Sequence, residues 1–442
     1  MSVTLRDVFQ ALDYGSPAGG GNIVFPNVST DTRTLQPGDL FVALVGTEAD
    51  GHQFIPQALR AGAGGLIVSQ PVVASLDTPV LRVPDTEVAY GLLARHWRDR
   101  FDIPVIGVTG SVGKTTVKEM LAAALSPLGP VLRTAASQNN ETGVPKALLQ
   151  LTPEHKSAVI EMGMRGSGQI AYLCGIARPT VGVITVIADN HLELLGSRDA
   201  IVDAKGELLE ALPENGLAVL NAEDLYLPRL LSKTKARVLT YGSGGEMQAD
   251  SITRTENGWS FTVRGVSVML NALSRHDISN ALAALTVAEA LGVSLTEAAE
   301  ALQAYVPPPM RMQSVKTPWG GTVLNDAYNA APASVGSALE TLATQSGGRK
   351  IAFLGDMREL GVRAEAAHRE LGAVIAGLGG LDLLFTVGGL AAQIPGAAQR
   401  FADSEDAARF ARRAFSKKAG DVVLVKGSRA MAMEKIAEAL AL

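Results

Sequence analysis

The chain has 442 residues, 47% of them hydrophobic, with 39 basic against 44 acidic side chains and a formal net charge of −5. That length suggests two to four domains, and the interspersed charges show neither a basic stripe for nucleic acid nor an acidic disordered arm. The one cysteine, Cys174, excludes an intramolecular disulfide and a thiolate zinc cluster, and no apolar run nears the ~18 residues of a membrane span. Charges at Arg6 and Asp7 come too early for a signal peptide, so a reducing cytoplasm is the expected compartment.

The first block, 1–84, holds apolar segments at 40–45, 65–68 and 80–83, with a helix-like stretch at 54–61. This pattern predicts a small α/β domain. Its polar turns contain Ser29-Thr30-Asp31-Thr32-Arg33, Pro37-Gly-Asp-Leu-Phe41 and Asp50-Gly-His-Gln-Phe54. Arg33 suits an anionic ligand; equally, it forms a plain turn pair with Asp31.

The second block, 85–307, opens with a helix-like stretch at 87–98 and then alternates strands with helices. Strands are expected at 103–108, 158–161, 181–187, 217–220 and 238–241. Each is short and apolar on both faces, as in a buried parallel sheet. From 250 to 270 the pattern becomes polar/apolar alternation with turns at Asn257-Gly258 and Arg264-Gly265, a small antiparallel meander. Helical spacing returns at 279–290 and 295–302. Pro307-Pro308-Pro309 reads as a stiff linker. The third block, 308–442, repeats the strand–helix alternation with strands at 322–324, 351–354, 383–387 and 422–425, a Rossmann-like domain. The fold class is therefore α/β, in three domains.

Between the strand at 103–108 and helical residues 117–125 lies Gly107-Val-Thr-Gly110-Ser111-Val-Gly113-Lys114-Thr115-Thr116. Strand, glycine loop and helix form a phosphate cradle, in which loop N–H groups and the positive end of the helix face an anion. Lys114 would reach the β/γ-phosphates and the Thr115 hydroxyl would face Mg²⁺, which names a nucleoside triphosphate as co-substrate. Val108 stands where the general motif has its first glycine.

Other candidates fall at strand ends, where open α/β sheets bind ligands. Glu161 ends its strand and offers the oxygen that Mg²⁺ prefers, or is a strand-end charge reaching solvent. His191, in Asp189-Asn-His-Leu-Glu193, follows the next strand as a metal or phosphate contact, or as a loop histidine without a role. Lys205 sits in a helix that Ser197 could cap, and alone reads as a surface lysine. His276-Asp277-Ile-Ser-Asn280 precedes a helix; Asn280 could meet an adenine edge, or Asp277 and Ser279 could simply cap. In the third block, Asn325-Asp326-Ala-Tyr328-Asn329, Gly355-Asp-Met-Arg-Glu-Leu-Gly361 and Lys426-Gly-Ser428-Arg429 follow three strands and would line one crevice.

Together, Thr109-Gly-Ser-Val-Gly-Lys-Thr-Thr116, Asn139-Asn-Glu-Thr-Gly-Val-Pro145, Glu161-Met-Gly163, Ala204-Lys-Gly-Glu207, Asn325-Asp-Ala-Tyr-Asn-Ala330 and Val425-Lys-Gly-Ser-Arg429 resemble the Mur ligases over nearly the whole chain. These are ATP-dependent amide-forming enzymes that build the peptidoglycan stem peptide. The strings are most similar to the type that joins D-alanyl-D-alanine to UDP-N-acetylmuramoyl-tripeptide; the recognition motif of the diaminopimelate-adding type is not found.

The resemblance implies a UDP-binding first domain, with Thr30, Asp31, Thr32 and Arg33 at its edge. It implies ATP on Gly110, Ser111, Gly113, Lys114, Thr115 and Thr116, with Glu161 on one Mg²⁺, His191 on a second, and Lys205 carbamylated into an anionic ligand. It places Asn140 near the reacting carboxylate, with Asn139 as the other register. His276 and Asn280 fall at the adenine, Arg311 near the phosphates and Asp326 at the ribose. Tyr328, Asn329, Lys426, Ser428 and Arg429 become substrate contacts. Asp277 stands where the family usually has Asn, and Ala331 replaces an Asn of the Asn-Ala-Asn-Pro string. A monomer without nucleic-acid or membrane partners is expected. The competing readings are a MurE-like or folylpolyglutamate-synthase-like ligase, and a non-enzymatic nucleotide-gated binding module.

Overall fold

The computed structural model describes residues 2–17, 21–46, 49–74, 77–188 and 195–442. His191 therefore lies outside the described residues, as do the neighbouring residues 189–194.

Three α/β units follow one another. In the first, Val28–Ser29, Leu40–Val42, Gly65–Val68 and Val80–Arg82 form a four-stranded parallel sheet in that order. Val3–Thr4 and Val24–Phe25 pair as a separate antiparallel ribbon. The helix Leu5–Ala11 starts on a capping box in which Thr4 and Asp7 satisfy each other's backbone N–H groups. The helix Thr86–Arg98, capped by Asp85, buries Tyr90, Leu93 and Trp97 in a core shared with Val105, Ile160 and Leu173 of the next unit.

The second unit is a six-stranded, all-parallel sheet. Its order is Arg237–Tyr241, Leu217–Asn221, Val181–Ile184, Val105–Thr109, Ser157–Glu161, Val131–Arg133. Val105–Thr109 lies between strands that come later in the chain, so the sheet switches direction there. Ligand-binding crevices open beyond the carboxyl ends of strands at such a switch point, and the loop after Thr109 is the glycine loop. The meander Asp250–Arg254, Trp259–Val263, Val266–Leu270 packs with the helices His276–Ala290 and Leu295–Leu302 on one core. The chain enters Val105–Thr109 two residues later than expected, after Pro104, which has no N–H to give a ladder. Val181–Ile184 is three residues shorter than expected.

The third unit is a mixed six-stranded sheet. Gln313–Lys316 pairs antiparallel with Thr322–Asp326, and Val422–Lys426, Lys350–Gly355, Leu383–Val387 and Gln399–Phe401 follow in parallel. Its two faces bury separate cores, one around Leu324, Leu354 and Leu424 and the other around Phe353, Phe385 and Val425. No described helix is long and apolar enough to cross a membrane.

Candidate functional site

The glycine loop dictates its own residues. Gly110 has φ +145°, and a Cβ there would come within 1.9 Å of Thr185 Oγ1. Gly113 caps the helix Lys114–Ala124 at φ +89°, and a Cβ there would lie 2.7 Å from Asn280 Oδ1. Both positions exclude any side chain, one by collision and one by conformation. Ser111 staples the loop to the neighbouring segment: its N–H donates to Val186 O at 2.7 Å and its hydroxyl to Ala188 O at 3.0 Å. The loop thus leads into a helix N-terminus whose first N–H groups face outward.

One cavity of about 940 Å³ joins this loop to the third sheet. Ser111, Gly113, Lys114, Thr115, Thr116, Asn139, Asn140, Glu161, Lys205, His276, Asn280, Arg311, Asp326, Tyr328, Asn329 and Lys426 all line it. Gly110 does not line the cavity, but its carbonyl accepts from Lys114 Nζ at 2.8 Å and Lys205 Nζ at 3.0 Å. Burial pushes the Lys114 ammonium down, and Arg311 adds to this while Glu161 and Glu359 oppose it.

Lys205 corrects the surface-lysine reading. It is 2% exposed, and burial first, then the Lys114 charge, pushes its pKa well below that of an ordinary lysine. Its helix, Arg198–Glu210, is capped by Ser197 as expected. The helix turns Ile201, Leu208 and Leu209 inward, and Lys205 follows them into the sheet.

Glu161 is 1% exposed. Its Oε1 accepts from Asn139 Nδ2 at 2.8 Å, while Oε2 is buried without a hydrogen-bond partner, 3.7 Å from Lys118 Nζ. A buried, unsatisfied carboxylate oxygen is costly unless a cation takes it. With the Thr115 hydroxyl on the same cavity, these hard oxygens fit Mg²⁺. Among the described residues no three His, Cys, Asp or Glu side chains gather as a preformed metal cluster. That suits Mg²⁺, which is bound through one or two carboxylates plus phosphates and waters.

The two asparagine registers separate. Asn139 holds Glu161, whereas Asn140 Oδ1 accepts from Gly143 N at 3.0 Å ahead of the helix Gly143–Leu148. The adenine-side string also differs from expectation. The helix begins at His276, with no side-chain cap, so Asp277 lies in its first turn. Asp277 accepts from Asn280 Nδ2 at 3.0 Å, and burial raises its carboxyl to about 6. A folded-state carboxyl raised from 3.8 means that the native chain binds more protons between those values, so stability falls as pH rises through the window. Asp277→Asn is therefore expected to raise Tm at pH 8 by more than at pH 5, as read by calorimetry. An equal shift at both values contradicts the assignment.

The third unit reaches across. Arg311 Nη2 donates to Thr115 Oγ1 at 3.3 Å, and its guanidinium lies 3.9 Å over the Tyr328 ring. The Tyr328 hydroxyl is hydrogen-bonded to Ser137 Oγ, 191 residues away in the chain. Asp326 is ion-paired with Lys426 at 2.5 Å and accepts from Met312 N at 3.0 Å, and Lys426 also donates to Asn329 O. If the Tyr328–Ser137 bond registers the two walls, Tyr328→Phe and Ser137→Ala each lower kcat about 5- to 10-fold, and the double variant is no worse than either single one. Independent, additive losses contradict this.

Six expected positions are not brought here. Thr30, Asp31, Thr32 and Arg33 do not line the cavity; Arg33 is 83% exposed and binds its own Asp31 at 2.6 Å, which holds that carboxyl at about 2. Ser428 is buried, accepting from Arg358 N and donating to Ala330 O, and Arg429 pairs with Glu434 at 2.8 Å. Both lie outside the cavity lining. One contributor escaped the sequence, Lys118, wholly buried beside Glu161, while Glu359 of the 355–361 string lines the cavity as that string's place at a strand end implies. Lys118 repeats Lys114 at i+4, a spacing that could have drawn notice.

Sheet, glycine loop and cavity define a nucleotide-dependent enzyme built from three α/β units, and comparison with known families agrees. The Mur ligase middle domain matches residues 108–288, the Mur ligase glutamate ligase domain residues 310–429, and the Mur ligase family catalytic domain residues 25–98. The chain belongs to the Mur ligase family. Within it, the similar proteins are of the MurF type. The UDP-N-acetylmuramoyl-tripeptide--D-alanyl-D-alanine ligase of Synechocystis is 44% identical over 81% of this chain and 78% of its own length. The enzyme of the same name from Escherichia coli is 38% identical over 100% of this chain and 98% of its own. The crystal structure of MurF ligase from Thermotoga maritima in complex with ADP superposes with a TM-score of 0.83 at 31% identity, covering 94% of this chain and 97% of that one.

Proposed function

We propose that this chain joins D-alanyl-D-alanine to UDP-N-acetylmuramoyl-tripeptide, using ATP and passing through an acyl phosphate, in the cytoplasmic assembly of peptidoglycan precursors. The observation that carries this reading is the single cavity that places a phosphate loop, the half-satisfied Glu161 and the third sheet's polar strand ends around one volume. Likeness to enzymes named for that reaction, over nearly the full length of the Escherichia coli one, supports the substrate pair. The domain limits that follow are 1–84, 85–307 and 308–442, acting as a monomer on small molecules and not on nucleic acid.

In the first step a carboxylate oxygen of the tripeptide attacks the γ-phosphorus of ATP, the bond to the bridging oxygen breaks, and ADP leaves. Two anions must meet. The Lys114 ammonium offsets their repulsion and follows charge onto the β-phosphate, and Arg311 flanks it. Glu161 and Thr115 would hold Mg²⁺, which supplies Lewis-acid stabilisation of phosphate oxygens. In the second step the dipeptide amine attacks the acyl carbon, and the tetrahedral oxyanion collapses to amide and phosphate. No covalent enzyme intermediate is required. The Arg311, Tyr328 and Asp326 wall covers the loop and keeps out water that would hydrolyse the acyl phosphate.

Lys205 is the position for carbamylation. A lysine with so depressed a pKa offers a free amine to CO₂; the N–C bond forms, a proton leaves, and an anionic oxygen ligand results. With His191, that carbamate would serve a second Mg²⁺. His276 and Asn280 would take the adenine, Asp326 the ribose, Asn139 or Asn140 the reacting carboxylate, and Thr30 to Arg33 the UDP end. Tyr328, Asn329 and Lys426 face the substrate side, with Ser428 and Arg429 fixing the loops behind them.

Phosphate release measured with UDP-N-acetylmuramoyl-tripeptide tests the reading. It is expected with D-alanyl-D-alanine and not with single amino acids. Release with a single amino acid identifies a MurE-like or folylpolyglutamate-synthase-like ligase, and nucleotide binding without any product identifies a binding module.

A further inference from the structure

Lys118 is wholly buried and lies outside the lining of the cavity, so no substrate touches it. Lysine is almost never fully buried unless its charge is partnered. It stands one helical turn after Lys114 in the helix Lys114–Ala124, on the same face. Lys114 lines the cavity, while Lys118 runs to the carboxyl ends of Val131–Arg133 and Ser157–Glu161.

An ammonium has three hydrogens to give. Lys118 Nζ donates to Thr134 O at 2.8 Å and to Ala136 O, and on its remaining side it is ion-paired with Glu119 Oε1 at 3.2 Å. Glu161 Oε2 lies 3.7 Å away, near enough for the charges to attract and too far for a hydrogen bond. The carboxylate is thus balanced in charge while Oε2 keeps the lone pairs that a metal takes.

The two carbonyls belong to the segment that leads to Asn139. Thr134 Oγ1 accepts from Glu161 N at 3.1 Å, Asn139 Nδ2 donates to Glu161 Oε1 at 2.8 Å, and Asn139 O accepts from Gly163 N at 2.8 Å. A Cβ on Gly163 would lie 2.6 Å from Asn139 Oδ1, so the asparagine has little room to turn. The segment grips Glu161 by its backbone at one end and by its carboxylate at the other, and the ammonium fixes the stretch where this grip begins.

We propose that Lys118 is a positioning residue for Glu161: it holds the segment that carries Asn139, and Asn139 in turn aims the carboxylate so that Oε2 is presented to Mg²⁺. This rests on the reading of Glu161 as a Mg²⁺ ligand and names the side chain behind it. Without the ammonium, the buried Thr134 carbonyl loses this donor, the segment loosens, and Asn139 no longer fixes Glu161 Oε1. The phosphate loop itself is shaped by Gly110, Ser111 and Gly113 and stays in place.

The test is calorimetric titration of ADP into purified full-length protein at a series of free Mg²⁺ concentrations and, separately, in EDTA. In Lys118→Met the free Mg²⁺ that half-maximally strengthens ADP binding is expected to rise about 10- to 100-fold, the usual loss when a group behind a metal ligand is removed. The Kd for ADP in EDTA should stay within twofold of wild type. Asn139→Ala should raise the Mg²⁺ midpoint similarly, and the double variant should raise it no further, because the lysine acts through the asparagine. An unmoved midpoint, an equal loss in EDTA, or a double variant in which the two shifts multiply overturns the inference. If Lys118→Met does not fold, Lys118→Gln carries the same test; it is one bond shorter and cannot hold both carbonyls, so its midpoint should also rise, and an unmoved one overturns the inference. Wild-type protein whose ADP binding ignores Mg²⁺ instead overturns the reading of Glu161 as a metal ligand.

Discussion

Lys114→Met is expected to lower the rate of ligation about 10²- to 10³-fold, the usual cost of removing one preorganised donor from a developing charge. Methionine keeps the length of the stem and removes only the ammonium. The folded state should tolerate that, because burial disfavours the charged form there and the acceptors it satisfies are loop carbonyls of Gly110 and Ser111. The loop geometry does not depend on this side chain: Gly110 and Gly113 shape it, and Ser111 ties it to Val186 and Ala188. Melting temperature should therefore change little while kcat collapses, a separation that thermal unfolding and phosphate release read together. Ligation within tenfold of wild type contradicts the role given to Lys114.

Lys205→Ala is expected to abolish ligation and to regain part of it in millimolar acetate or propionate. A short carboxylic acid can enter the space left by the side chain and present the oxygen that the carbamate supplied. Lys205→Met, which fills that space, should not be rescued. Stability should move the other way. Unfolded Lys205 titrates near 10.5 and folded Lys205 well below it, so between those values the unfolded chain binds more protons and stability rises with pH. In bicarbonate-free buffer at pH 7.5, Lys205→Met is expected to melt above wild type, because it removes a poorly solvated amine. An unmodified, dispensable Lys205 contradicts the carbamate.

The second and third sheets were legible where strands are buried on both faces. Val181–Ile184, Leu217–Asn221, Lys350–Gly355 and Val422–Lys426 read as apolar runs because helices cover both sides of a parallel sheet. Three edge strands did not show. Val131–Arg133 and Gln399–Phe401 are three residues long, and Gln313–Lys316 alternates without a fully buried residue. Edge strands are short and polar because an exposed ladder invites pairing, so periodicity has little to register.

At the site, the glycine loop was legible because its chemistry is local: turn, cradle and helix start are consecutive residues. Lys205 was not, since its burial depends on where its helix docks against the sheet. The division of labour between Asn139 and Asn140 rests on Glu161, more than twenty residues away, and the Tyr328–Ser137 contact on a chain separation larger still. Glu359 belongs to the 355–361 string expected at the crevice, but its left-handed backbone was not legible, because distant His368, Ser428 and Ala391 hold the neighbouring residues.

The central claim is that ATP activates a peptide carboxylate by phosphorylating it. UDP-N-acetylmuramoyl-tripeptide carrying ¹⁸O in its terminal carboxylate, turned over with ATP and D-alanyl-D-alanine, tests this directly. One labelled oxygen should pass to each inorganic phosphate released, as read by mass spectrometry. Phosphate free of label contradicts the account.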